Sequence, residues 1–175
     1  MAANDRVNAL PNRQKIREIS KLRALDPQAK LLIEKAEGAG NPELYELDPS
    51  AARKLFLVLS MAVAVDPIEV GSVVNQKIPG PTGQILLRFY RPVGVQRNAA
   101  ALMYFHGGGW GIGDLDSHDG ICRWICSRSG CVVTSVDYRM APEHKFPAPL
   151  DDCLAATFWV AANGEALGID TARIA

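Results

Sequence analysis

The stretch Leu102-Met103-Tyr104-Phe105-His106-Gly107-Gly108-Gly109-Trp110 joins an apolar run directly to three consecutive glycines. The run from Ala99 to Phe105 has no polar alternation, which predicts a strand buried on both faces of a parallel sheet. In open α/β sheets, ligands bind outside the carboxyl ends of the strands, so we expect the functional site at the glycines. Glycine suits a segment whose backbone adopts unusual angles or approaches a ligand closely, and its N–H groups can converge on an anion.

A second motif follows one predicted helix and one predicted strand later. It reads Val136-Asp137-Tyr138-Arg139-Met140-Ala141-Pro142-Glu143 and continues with Phe146-Pro147-Ala148. With His106–Trp110 and Gly113, in this order and spacing, it resembles the hormone-sensitive-lipase-like carboxylesterases of the α/β-hydrolase fold. The resemblance runs from about Asp26 to the last residue. It implies the N-terminal part of such a fold, with a helical cap segment over residues 1–66 and part of the α/β-hydrolase domain over residues 67–175.

The resemblance also implies roles for the glycine loop. Gly108 and Gly109 are the expected oxyanion-hole donors, whose backbone N–H groups would stabilise the tetrahedral intermediate of acyl transfer. Gly107 and Trp110 would support that loop. His106 has two interpretations, a catalytic base or a residue that holds the loop by hydrogen bonds, and the second is favoured.

Charged residues follow the next predicted strand, Cys131 to Val136. The carboxyl ends of neighbouring parallel strands lie at the same edge of a sheet, so Asp137, Arg139 and Glu143 are expected near the glycine loop. They could brace the loop that carries the nucleophile, because arginine and carboxylate lock a backbone through paired hydrogen bonds. An ion-pair cluster that holds a proline-rich loop is the favoured alternative. None of the three is predicted to be catalytic.

Esterases of this kind carry a nucleophilic serine in a G-x-S-x-G elbow, followed along the chain by the acid and the histidine. No serine of the 175 residues has glycine at both the second position before it and the second after it. The chain is therefore expected to be truncated before the nucleophile-elbow strand and to be inactive alone. We further expect that the apolar strand 99–105 forms an unpaired sheet edge, which can pair with another chain.

Two functions remain open. The first is a carboxylic ester hydrolase that acts on short acyl esters through an acyl-serine mechanism, with a small-molecule ester substrate and no cofactor. The second is a catalytically inactive truncated product or an interaction module. A nucleotide-binding Rossmann domain is the weaker α/β interpretation, because Ile112 stands where the last glycine of G-x-G-x-x-G would be.

Composition excludes other classes. The 19 basic and 19 acidic residues cancel, which gives no indication of a nucleic-acid partner. Neither a secretory h-region nor an apolar run of about 18 residues is present, so a cytoplasmic location without a membrane span is expected. No metal site is predicted, because His118 and His144 lack partners at ligand spacing and no C-x-x-C occurs. The cysteines are expected to be buried and reduced: Cys122, Cys126, Cys131 and Cys153.

Helix signals dominate the first third of the chain. Basic and apolar residues alternate in an amphipathic pattern up to Leu25, which predicts a helix packed on the body, with a membrane-surface helix as the alternative. Asp26-Pro27 and Asp48-Pro49 each read as an N-cap followed by proline, and predict two further helices. The second of these is apolar nearly all round and is expected to be buried.

The remaining elements are predicted from hydrophobic periodicity and from turn-forming residues. Segments 69–77 and 84–90 form an antiparallel hairpin at the sheet edge around Pro79–Gly83. Asp114 to Ser117 offers N-cap candidates for a helix that ends at Gly130. This helix is expected to face the sheet with Ile121, Trp124 and Ile125. A further helix over 149–163 gives the strand and helix alternation of a parallel α/β sheet.

Overall fold

Aspartate caps begin the first two helices of the computed structural model, which describes residues 25–64, 66–95 and 97–175. Helix α1 is Pro27–Gly38, and the Asp26 carboxylate accepts from the Gln28 amide at 2.8 Å. Helix α2 is Pro49–Ala62, and Asp48 accepts from the Ser50 and Ala51 amides. Both predicted caps are confirmed. The amphipathic helix predicted before Leu25 falls on residues 1–24, outside the described part.

Two compact units divide the chain, Met1–Glu43 and Leu44–Ala175. In the described part of the first unit the helix is α1. The second unit contains a short 3-10 helix at Leu44–Glu46, helix α2 and the whole sheet. The predicted boundary between a cap and a hydrolase domain at residue 66 stays a prediction.

Helix α2 is only partly buried, so the prediction that it is buried all round is wrong. Ala52 is its buried residue, whereas Val58 and Met61 are 61% and 65% exposed. The short 3-10 helix contacts α2, but much of the apolar surface of α2 stays open among the described residues. Apolar composition indicates a tendency to be covered, but the covering element must come from elsewhere in the fold.

Five strands form one mixed sheet in the order β1-β2-β4-β3-β5. The antiparallel hairpin is confirmed at the edge, and β2 also pairs with β4 in antiparallel fashion, while β4, β3 and β5 run parallel. Helix α3 connects β3 to β4, and helix α4 connects β4 to β5. The bounds are β1 Ser72–Gly80, β2 Gly83–Arg91, β3 Ala99–Tyr104, α3 Asp119–Ser129, β4 Val132–Asp137, α4 Ala148–Asn163 and β5 Ile169–Ile174.

Strand β3 alternates between two degrees of burial. Ala99, Ala101 and Met103 belong to the main core, together with Ala156 and Val160 of α4. The other face is half-buried, where Leu102 and Tyr104 pack against a second core cluster that includes residues of α3. The prediction of equal burial on both faces is therefore corrected, because α3 covers its face less completely than α4 covers the other.

The exposed-edge prediction for β3 is wrong, because β5 lies beside it. The Ala99 amide donates to Gly168 at 3.1 Å, the Ala175 amide to Ala101 at 3.0 Å, and the Met103 amide to Ala175 at 2.8 Å. The pairing is irregular between Ala99 and Ala101. In the described sheet the edge on this side is β5, which carries an Asp170–Arg173 ion pair at 2.7 Å. Charged residues on an edge strand disfavour pairing with other chains.

Helix α3 packs Ile125 against the core beside the sheet, as predicted, but the rest of its buried face differs from the prediction. Cys122 and Cys126 are fully buried beside Tyr90, whereas Ile121 and Trp124 are 47% and 52% exposed. Small side chains one helical turn apart let the helix approach the sheet, and the larger residues remain outside. All four cysteines are free, but Cys131 and Cys153 are half-buried, so their predicted burial is only partly confirmed.

Both ends of α3 are defined by local contacts. Asp114 and Ser117, the predicted caps, instead bond each other in the preceding turn, with the Ser117 amide 2.7 Å from the Asp114 carboxylate. The helix begins at Asp119, two residues later. Gly130 ends it in the left-handed conformation, at a φ of 69°, as predicted. Among the described helices, none has the length and hydropathy needed to cross a membrane.

Candidate active site

The glycine loop after β3 has a backbone that side chains would obstruct. Gly108 has a φ of 125°, and Gly109 and Trp110 both have a φ of 59°. A Cβ atom on Gly108 would lie 2.0 Å from the Ile112 carbonyl oxygen, where no real side chain fits. Glycine at position 108 is therefore a steric requirement of the loop's shape.

Hydrogen bonds close this loop into a tight turn. The Gly108 carbonyl accepts from the amides of Gly111 and Ile112, each at 3.1 Å, and the Trp110 carbonyl accepts from Ala141 at 2.8 Å. Neither the Gly108 nor the Gly109 amide donates to an acceptor among the described residues. Two consecutive N–H groups are thus available for a ligand at the carboxyl end of a central strand.

His106 lies under the loop and is 3% exposed. Its Nδ1 lies 2.9 Å from the Gly107 carbonyl, and its ring stacks on Tyr138 with centroids 4.3 Å apart. The Tyr138 hydroxyl donates to the His106 carbonyl oxygen. These contacts tie the loop to the end of β4, as the loop-holding interpretation of His106 requires. That role stays a prediction.

Burial lowers the pKa of His106, because the imidazolium loses hydration more than the neutral ring does. The pKa of His118, whose ring centroid lies 5.3 Å away, is lowered by burial and then by His106. The unfolded chain therefore binds more protons than the folded chain below an ordinary histidine pKa of about 6.5. We expect the free energy of unfolding to fall as the pH is lowered from about 7.5 through 6.5.

Urea unfolding of the 175-residue chain at a series of pH values measures this dependence. His106→Gln should flatten the slope below about pH 6.5, because one buried imidazole no longer has to remain neutral. The unsubstituted chain, unfolded at the same pH values, provides the control. An identical slope in His106→Gln and the unsubstituted chain would contradict the expectation.

An apolar cavity of about 760 Å³ opens beside the loop. Its lining combines the residues from Phe105 to Trp110 with Tyr138 and with the first turns of α4. Leu150 and Leu154 of that helix are about half exposed, because the core-facing side of α4 is instead formed by Asp152, Ala156 and Val160. The volume falls in the range of small-molecule sites, and the lining suits an apolar group held next to the free amides.

A second cavity of about 880 Å³ lies at the amino ends of β3 and β5, around Arg91, Arg97 and Leu167. It contains none of the motif residues. The glycine loop, with its available N–H groups, lines the smaller cavity. We therefore assign the candidate site to that cavity.

The buried Asp152 forms an ion pair with the half-buried Arg139 behind the site. The Asp152 carboxylate is 1% exposed and accepts from the Arg139 backbone amide at 3.0 Å and from Nε and Nη2 at 2.8 Å each. Arg139 also donates to Thr82 in the hairpin turn at 2.6 Å. The predicted partners Asp137 and Glu143 do not contact it, and the Asp137 carboxylate makes no hydrogen bond or ion pair with a described residue. Arg139 and Glu143 thus form ion pairs with residues outside the predicted set, and both interpretations of the three charged residues stay predictions.

Glu143 pairs instead with Arg53 of helix α2. Arg53 Nη1 and Nη2 lie 2.9 and 2.7 Å from the two carboxylate oxygens, and this hydrogen-bonded guanidinium holds the pKa of Glu143 down to about 2. Arg53 also donates to the carbonyls of Gly111 and Ala141. Sequence reasoning missed both Arg53 and Asp152. Asp152 carried a faint signal, since it precedes the core residues Ala156 and Val160 at intervals of four, but Arg53 carried none.

The described residues form no candidate metal site. Among the residues that the structure describes, no group of three histidine, cysteine or acidic side chains is placed to hold a metal ion. His118 stands just before α3, with its Nδ1 3.1 Å from the Ser117 hydroxyl.

Comparisons with known proteins agree with this geometry. Residues 102–175 match the family model of the alpha/beta hydrolase fold. The chain is 50% identical over 105 residues to Esterase LipI of Mycobacterium tuberculosis, which covers 59% of this chain and 33% of that protein. It is 40% identical over 136 residues to Carboxylic ester hydrolase LipN of the same organism, with 77% of this chain and 36% of LipN covered.

Solved structures show the same likeness in three dimensions. An ester hydrolase from the metagenome of Lake Arreo, in complex with a derivative of bipyridine phosphonate, has a TM-score of 0.81 at 41% identity, over 87% of this chain and 50% of that one. The hyperthermophilic esterase of Pyrobaculum calidifontis has a TM-score of 0.81 at 37% identity, over 87% and 49%. The chain thus spans about a third of the two curated relatives and about half of these structures.

A mixed sheet with a glycine loop at the carboxyl end of an interior strand, and these matches, define the class of protein as the α/β-hydrolase fold. Within it, the relatives that this chain resembles are named esterase and carboxylic ester hydrolase. The resemblance to hormone-sensitive-lipase-like carboxylesterases stated from the motifs is confirmed.

Proposed function

We propose that this chain forms the oxyanion-hole portion of a carboxylic ester hydrolase in the hormone-sensitive-lipase-like branch. One observation carries the proposal: the Gly108 and Gly109 amides have no acceptor among the described residues and lie at the rim of the apolar cavity. Gly107, Trp110 and His106 support the loop. The substrate is a small ester whose acyl group occupies the cavity.

The chemistry follows the acyl-serine mechanism. A serine oxygen attacks the ester carbonyl, and the carbonyl oxygen becomes an oxyanion that accepts from the two glycine amides. Each such donor is worth roughly 2.7–4 kcal/mol when it is fixed in advance. The alcohol then leaves, and water hydrolyses the acyl-serine. A phosphonate, as bound by the Lake Arreo relative, has a tetrahedral centre with negatively charged oxygens, which resembles this intermediate.

The nucleophile is not found in these 175 residues in its usual form. Because no serine has the G-x-S-x-G setting, we propose that the serine, acid and histidine come from a complementing segment, and that the 175-residue chain alone does not hydrolyse esters. Cytoplasmic location also remains a proposal from the sequence.

Hydrolysis of p-nitrophenyl acetate and butyrate tests the proposal. We expect no turnover by the purified chain, none by the C-terminal half of a homologous esterase, and turnover by their mixture. A matched mixture, in which alanine replaces the elbow serine of the C-terminal half, should be inactive. An inactive mixture whose halves co-elute would favour the inactive product or interaction module. Turnover by the chain alone would contradict its predicted inactivity.

A further inference from the structure

We propose that Arg53 is a positioning residue for the oxyanion loop, which it fastens to the segment after β4 through two backbone carbonyls. The inference rests on the proposed function, because it concerns the placement of the Gly108 and Gly109 amides. Arg53 does not itself line the cavity, it contacts no group assigned to catalysis, and the motifs quoted above do not include it.

A single guanidinium joins three groups from two segments. Nε donates to the Gly111 carbonyl at 2.8 Å and Nη2 to the Ala141 carbonyl at 2.8 Å. Nη1 and Nη2 also reach the Glu143 carboxylate in bidentate fashion. Arginine is suited to this task because its planar fork presents five N–H donors in fixed directions.

Together with two backbone hydrogen bonds, these bonds form a closed ring around the loop. The Gly111 amide donates to the Gly108 carbonyl, and the Ala141 amide donates to the Trp110 carbonyl. Arg53 binds the opposite, carbonyl side of both donor residues, Gly111 and Ala141. The turn that carries the two free amides is therefore tied to the end of β4 once by the backbone and once through Arg53.

The ion pair with Glu143 contributes less to the placement of the loop than the bonds from Arg53 to the two carbonyls do. The side chains of Arg53 and Glu143 are 27% and 52% exposed, and exposed ion pairs add little stability. Glu143 instead orients the guanidinium, since both carboxylate oxygens bind it. A purely structural role predicts a small and uniform loss of stability, whereas a positioning role predicts a local change at the loop. Misplacement by about 1 Å can cost a catalytic site about 100-fold in rate.

Amide hydrogen exchange in the 175-residue chain separates the two roles without any need for catalysis. In Arg53→Met, the Gly111, Ile112 and Ala141 amides should exchange about 10-fold faster or more, while the amides of β4 remain as in the unsubstituted chain. Lys54 is the neighbouring exposed cation on the same helix, and Lys54→Met should change nothing. Unchanged exchange at the three loop amides, or an equal increase in β4, would overturn the proposal.

The complemented esterase supplies the second readout. Arg53→Met should lower kcat about 10- to 100-fold with little change in KM, because the loss falls on the transition state. Millimolar guanidinium should restore part of that rate, and methylammonium should not, because only the former supplies the fork. A loss confined to KM, or equal rescue by both cations, would contradict positioning. If the unsubstituted mixture is itself inactive, the proposed function fails, and the exchange experiment still decides the role of Arg53.

Discussion

Replacing Gly108 by alanine is expected to lower kcat of the complemented esterase by about 100- to 1,000-fold, the loss associated with removal of one oxyanion donor. A Cβ atom at this position would overlap the Ile112 carbonyl oxygen, 2.0 Å away. The φ of 125° is also one that an L side chain disfavours. The backbone must therefore rotate, and the Gly108 and Gly109 amides turn away from the oxyanion.

The design includes a graded and a neutral variant. Gly109 has a φ of 59° but no atom within 4 Å of an added Cβ, so Gly109→Ala should lose less activity than Gly108→Ala. Gly120 lies in α3 with open space around it and an ordinary φ, and Gly120→Ala should retain full activity. Steady-state kinetics on p-nitrophenyl butyrate measure the order of activity among the three variants. Equal activity of Gly108→Ala and Gly120→Ala would refute the assignment of the oxyanion loop.

Replacing Asp152 by asparagine should lower the free energy of unfolding of the 175-residue chain by about 3 kcal/mol, the cost of breaking a buried ion pair. The carboxylate accepts three hydrogen bonds from Arg139 and is 1% exposed. An amide of the same shape keeps only one acceptor oxygen and directs N–H donors towards the guanidinium. Arg139 is then left with an uncompensated charge between α4 and the hairpin turn.

Urea unfolding followed by circular dichroism measures this loss. Asp151 is the adjacent, exposed carboxylate on the same helix, and Asp151→Asn should change stability by less than about 0.5 kcal/mol. A second substitution, Arg139→Met, should restore part of the stability of Asp152→Asn, because the charge that needs a partner is gone. The prediction fails when Asp152→Asn unfolds at the same urea concentration as Asp151→Asn.

Local features of the molecule were largely predictable from sequence. The two Asp-Pro caps, the hairpin around Pro79–Gly83 and the left-handed Gly130 all depend on residues close in sequence, and all are present. The position of the glycine loop after an apolar strand was predictable for the same reason. Short-range sterics and capping hydrogen bonds determine such features almost independently of the rest of the chain.

Which faces are buried depended on elements distant in sequence. The same apolar pattern is consistent with α3 facing the sheet through Ile121 and Trp124 or through Cys122 and Cys126, and packing distance selected the small residues. Helix α2 is apolar nearly all round but is only partly covered by the described residues. Strand β3 is paired on both sides because the chain returns through α4 to place β5 beside it.

By itself, then, the sequence determined the strand, the glycine loop after it, the family motifs and the starts of α1 and α2, because each depends on neighbouring residues. Only the tertiary structure decided the partners of the charged groups. Arg139 binds Asp152 rather than Asp137 or Glu143, and Glu143 binds Arg53, 90 residues earlier in the chain. Ion pairs between distant residues require that the fold bring them within about 4 Å, and no local pattern records that distance.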